Sequence, residues 1–73
     1  MDLNQINTRN QFRGTVIEIV FGDVMSEVEV ETSSGVISAV ITTSSARRLG
    51  LQIGDPALVL FKAADVLVAR LPP

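Results

Sequence analysis

"TTSSARRLGLQIGD", residues 42–55, interrupts a chain whose apolar residues otherwise alternate. Four hydroxyl residues open it, and Thr or Ser oxygens accept hydrogen bonds from the unpaired amides of a helix's first turn. Ala46, Arg47, Arg48 and Leu49 carry the segment on, and Gly50 takes without strain the left-handed conformation that closes a helix. The pattern predicts a helix of about two turns, followed by a turn at Gly54, Asp55 and Pro56.

On the N-terminal side of this segment the period is two. In "TVIEIV" (residues 15–20) Thr15, Ile17 and Ile19 share one face, with Val16, Glu18 and Val20 opposite. In "SEVEVET" (residues 26–32) Glu27, Glu29 and Glu31 alternate with Val28 and Val30, a solvated row against a buried one. Gly22-Asp23 and Ser33-Ser34-Gly35 supply the turns, so a third strand follows over Val36 to Ile41. Toward the C-terminus, "ALVLFK" (residues 57–62) reads as a fully buried strand, "AAD" as a corner and "VLVARL" (residues 66–71) as a fifth strand. Three strands, a short helix and two strands predict an all-β, OB-like five-stranded barrel with its helix between strands 3 and 4. One domain fills residues 1–73, with 1–7 as an N-terminal tail.

A chain of 73 residues lies near the lower limit for a self-sufficient core, and it has neither Cys nor His to form a disulfide or a zinc site. Apolar residues make up 47% and charged residues 19%, against about 25% charged in ordinary domains, so part of the surface is expected to be covered by a second copy. The longest apolar run, Ala57 to Phe61, falls far short of a membrane span, and "MDLNQINTRN" lacks the features of a secretion signal. A cytoplasmic protein without a membrane partner is expected.

The net charge of -2 argues against a general polyanion binder, and without Trp or Tyr there is little to stack on single-stranded bases. Catalysis finds no support either: no His base, no Cys nucleophile, and no activating partner for Ser or Thr other than Lys62. The glycines stand singly, so no phosphate loop is present. What the residues do allow is a site for one small anion. Its pieces are Arg9 beside Asn7, Thr8 and Asn10, the hydroxyl cluster Thr42 to Ser45, and Lys62. Charged hydrogen bonds from such a set suit a tetrahedral oxyanion. An interaction or regulatory module, or a nucleic-acid-binding barrel, are the alternatives.

A family resemblance sharpens this. "TRNQFRGTV" (residues 8–16) resembles the "SARNQ…G" opening of the molybdate-binding Mop domains, the molbindins. "ITTSSARRLGLQIGD" (residues 41–55) and "VLFKAADVLVA" (residues 59–69) are similar to the rest of that domain, so the likeness runs from about Asn7 to Leu71. It implies a non-enzymatic cytoplasmic protein that binds molybdate, and tungstate, for storage or homeostasis, with the metal held only as its oxyanion and no further cofactor. It also implies a homohexamer, a trimer of dimers, with the ion between subunits. By motif, one subunit would offer Arg9 and the other Thr42, Ser45, Lys62 and Ala63, the last through its backbone N–H. Asn7 stands where the family has Ser, and Thr8 where it has Ala, so either Asn7 or Thr8 would supply the remaining donor.

Overall fold

The computed structural model describes residues 7–73; of the expected tail, Met1 to Ile6 lie outside the described residues. Four strands form a single antiparallel sheet: β1 (Asn10–Phe21), β2 (Met25–Thr32), β3 (Gly35–Thr42) and β4 (Pro56–Phe61), in the order β3-β2-β1-β4. Between β3 and β4 lies the helix α1 (Thr43–Leu49), and a 3₁₀ turn over Ala63–Asp65 follows β4. The fold is all-β with one short helix, in the element order of OB-like domains.

The helix ends as its residues dictate. Thr42 is the N-cap, its hydroxyl accepting from the Ser45 amide at 3.1 Å, and Gly50 closes the helix at φ 65° with its N–H on the Arg47 carbonyl. Thr43 does something else. It is buried, its hydroxyl lies 2.7 Å from that of Ser26 and donates to the Gly22 carbonyl at 2.8 Å, and its amide donates to the Val24 carbonyl. These bonds tie the start of α1 to the turn between β1 and β2, and they satisfy polar groups that water cannot reach.

Val16, Val28 and Val30 form the core, with Ile19, Ile41, Leu51, Ala57 and Val59 packed against it. The alternation expected in β1 is broken in the middle. Val16 pairs with Val30, but Glu18 pairs with Glu29, leaving Ile17 as an extra residue. A bulge of this kind moves every later side chain to the other face. Val16 and Ile19 therefore turn inward while Ile17 is 37% exposed, which corrects the single face expected for Thr15, Ile17 and Ile19. Gly14 lies just before the bulge, paired on both sides, and a Cβ there would overlap the Glu31 carbonyl and the Val30 side chain. The close passage of β1 and β2 at this point requires glycine. Glu27 and Glu31 are exposed and Glu29 half-buried, on the face away from Val28 and Val30.

Two expectations at the C-terminal end are corrected. β4 is half-buried rather than fully buried, because it is the edge of an open sheet with a neighbour only on the β1 side. The fifth strand expected over residues 66–71 is absent. After the 3₁₀ corner the chain runs on without a hydrogen-bonded neighbour, with Leu67 95% and Val68 94% exposed. Apolar alternation marks a segment that suits a sheet, but a strand also needs a partner ladder, and the edges of this chain do not meet the tail. Among the described residues no helix is long and apolar enough to cross a membrane.

Candidate functional site

The antiparallel pairing of β1 with β4 sets Asn10 opposite Phe61. The residues just before β1 therefore lie beside those just after β4, although the sequence separates them by the whole domain. Asn7, Thr8, Arg9, Asn10, Lys62 and Ala63 line one surface cavity of about 410 Å³. Two of the six carry positive charge and none carries negative charge, so the chemistry of the lining selects for an anion. Arg9 and Lys62 are exposed at its rim.

Several hydrogen bonds shape the Arg9 side of the cavity. The Thr8 hydroxyl donates to the Phe61 carbonyl at 2.7 Å and accepts from the Asn10 amide at 3.3 Å. Gln11 reaches back, its Nε2 donating to the Thr8 carbonyl at 2.6 Å, and its amide donates to the Arg9 carbonyl at 3.1 Å. Beneath the site, Phe12 and Phe61 stack with ring centroids 5.7 Å apart. Stacking at this separation is a favourable aromatic geometry and stiffens the strand ends from which the cavity residues project.

Of the residues the sequence nominated, Asn7, Thr8, Arg9, Lys62 and Ala63 come together on one chain, whereas Thr42 and Ser45 do not line their cavity. Thr42 pairs with Met25, at the end of the sheet where β1 finishes, while the cavity sits where β1 begins. Arg9 and Lys62, which the resemblance divides between two subunits, line the same cavity on a single chain. At the helix start the Thr42 hydroxyl donates to the Ser45 hydroxyl at 2.6 Å. With its one proton so engaged, Thr42 acts as acceptor and cap, and the Ser45 O–H is left to donate elsewhere. Asn10, which the sequence places beside Arg9 among the pieces of an anion site, lines the cavity, whereas Gln11 is not among those pieces. Gln11 lies inside the same "TRNQ" motif, but its bracing bond to the Thr8 carbonyl depends on the turn before β1 and has no signature in residue type. Among the described residues no group of His, Cys, Asp or Glu is arranged to hold a bare metal ion.

Comparison with known proteins agrees with this architecture. Residues 6–68 match the TOBE domain, and the chain belongs to the TOBE-domain family. A probable molybdenum-pterin-binding protein of Haemophilus influenzae is 32% identical over 65 residues, covering 88% of this chain and 94% of that protein. MopII from Clostridium pasteurianum superposes with a TM-score of 0.85 at 31% identity, covering 90% of this chain and all of that one. A molybdate-binding protein from Sporomusa ovata gives a TM-score of 0.85 at 35% identity, covering 90% of this chain and 98% of its own. Within the wider family this chain is therefore a member of the Mop, or molbindin, group.

Proposed function

We propose that this protein binds molybdate, and tungstate, as an intact dianion, reversibly and without chemical change, as a cytoplasmic store. The observation that carries this is the cavity between the start of β1 and the end of β4, where Arg9 and Lys62 meet with amide and hydroxyl groups and no carboxylate. The names of the relatives supply the ion: one is a probable molybdenum-pterin-binding protein and another a molybdate-binding protein.

A second copy completes the site. The cavity is open at the surface, so on one chain an anion seated there keeps water on its outer side. Dehydrating a dianion costs many kcal/mol, which only donors on all sides offset. The Ser45 hydroxyl, with Thr42 behind it, is a donor set that its own chain does not bring to the cavity. A neighbouring copy brings it there, so the ion is held by Asn7, Arg9, Lys62 and the Ala63 amide of one copy and Thr42–Ser45 of the next.

Two further features of the single chain favour self-association, which the family resemblance makes a hexamer of three dimers. An apolar groove of about 370 Å³ opens on the core between Val16, Val30, Ile41, Leu51 and Val59. The tail with Leu67, Val68 and Leu71 stands exposed and without a ladder. The tail of one copy has the pattern to form the missing fifth strand on another. Nucleic acid is a poorer candidate ligand, since the cavity offers only two cations and the chain carries a net charge of -2.

The test is isothermal titration of the purified protein with sodium molybdate, repeated in excess sulfate. Saturable binding of a defined number of ions per protomer is expected; no molybdate retained by the protein in equilibrium dialysis at millimolar concentration refutes the proposal.

A further inference from the structure

The geometry points to Thr8 as a positioning residue that sets Arg9 beside Lys62, and not as a ligand of the ion. This rests on the anion site just proposed and adds to it. A hydroxyl has one proton to donate, and that of Thr8 is engaged at 2.7 Å by the Phe61 carbonyl, the residue immediately before Lys62. An oxyanion accepts hydrogen bonds and donates none, so it gains nothing from Thr8 unless that bond is broken. The same oxygen accepts the Asn10 amide at 3.3 Å, on the far side of Arg9. One side chain therefore grips the chain after Arg9 and the end of β4 at once, across 53 residues of sequence. Gln11 closes the loop by donating to the Thr8 carbonyl. Without the Thr8 hydroxyl the Asn10 amide loses the partner that holds the turn, and the backbone carrying Arg9 loses its tie to the residue before Lys62.

Four variants test this: Thr8→Val, which keeps the shape and removes the hydroxyl, Thr8→Ser, which restores the hydroxyl, Arg9→Ala, and Thr8→Val combined with Arg9→Ala. Amide hydrogen exchange in the molybdate-free protein is measured first. Exchange at Asn10 should quicken at least ten-fold in Thr8→Val and stay within two-fold in Thr8→Ser. Titration with sodium molybdate should then show Thr8→Val weaker by five-fold or more when Arg9 is present, and by less than two-fold when Arg9 is already alanine, because residues acting through one another are not additive. An equal loss in both backgrounds makes Thr8 a direct ligand and overturns the assignment, as does unchanged Asn10 exchange in Thr8→Val. Should Arg9→Ala alone bind molybdate like the unmodified protein, the anion site falls and the positioning role for it falls too, while Asn10 exchange still decides whether Thr8 holds the turn.

Discussion

Replacing Lys62 by alanine should separate binding from folding. Lys62 follows the last ladder residue of β4, its side chain is exposed, and its carbonyl, which accepts from the Asp65 amide in the 3₁₀ corner, survives the substitution. Loss of the ammonium therefore removes no hydrogen bond of the fold, and the change in stability should stay within about 0.5 kcal/mol, as for ordinary surface substitutions. Binding is another matter. The ammonium is one of two cations lining the cavity, and no acidic lining residue competes for it. A hydrogen bond to a charged group contributes about 1.5–3 kcal/mol, equivalent to a loss of roughly ten- to hundred-fold in molybdate affinity. Lys62→Gln, which keeps a donor and loses the charge, should fall between. The assay is isothermal titration with sodium molybdate, alongside urea unfolding of each variant. Affinity within two-fold of the unmodified protein, with folding intact, refutes the assignment of this cavity as the anion site.

Other consequences are as accessible. Leu67→Asp combined with Val68→Asp should dissociate the assembly, because each buried Leu or Val contributes about 1.5–3 kcal/mol to whatever covers it; sedimentation velocity that still reports the native oligomer excludes the tail from the interface. Thr43→Val should destabilise the chain by about 1–3 kcal/mol, since it strands the Ser26 hydroxyl and the Gly22 carbonyl. Adding Ser26→Ala should recover part of that loss, and strictly additive urea midpoints would argue that the two hydroxyls do not interact. The chain contains no His, the side chain that ordinarily changes charge between pH 5 and 8, so molybdate affinity should be nearly flat from about pH 6 to 8. A ten-fold change over that interval, read by titration at several pH values, would mean that a titrating group lines the site.

Much of the fold follows from neighbouring residues alone. The Thr42 cap, the Gly50 stop, the turns at Gly22-Asp23 and Ser33-Gly35 and the Glu/Val alternation of β2 are local matters, in which a side chain acts on its own backbone or on residues a few positions away. Such preferences are written into short stretches of sequence and survive into the structure. The candidate charges, Arg9 and Lys62, were legible for the same reason: each stands out by type against its neighbours. The identity of the cap was only half legible, since Thr42 and Thr43 are equally good cap residues, and burial against Ser26 decided between them.

What local chemistry leaves open is anything that depends on which segments become neighbours. The bulge at Ile17 turns on how β1 passes β2 beside Gly14, and it reverses which residues of β1 face the core. The fifth strand has the right residues and no ladder, because hydrogen-bonding partners belong to the sheet and not to the segment. The meeting of Arg9 with Lys62, and the single hydroxyl of Thr8 that holds them together, arise only when antiparallel pairing sets Asn10 against Phe61. Local chemistry thus accounts for β1 to β4, the helix and the kinds of charge available, while the pairing of segments accounts for the bulge, the unpaired tail and the site, since side-chain preferences act over a few residues and the site is assembled from opposite ends of the chain.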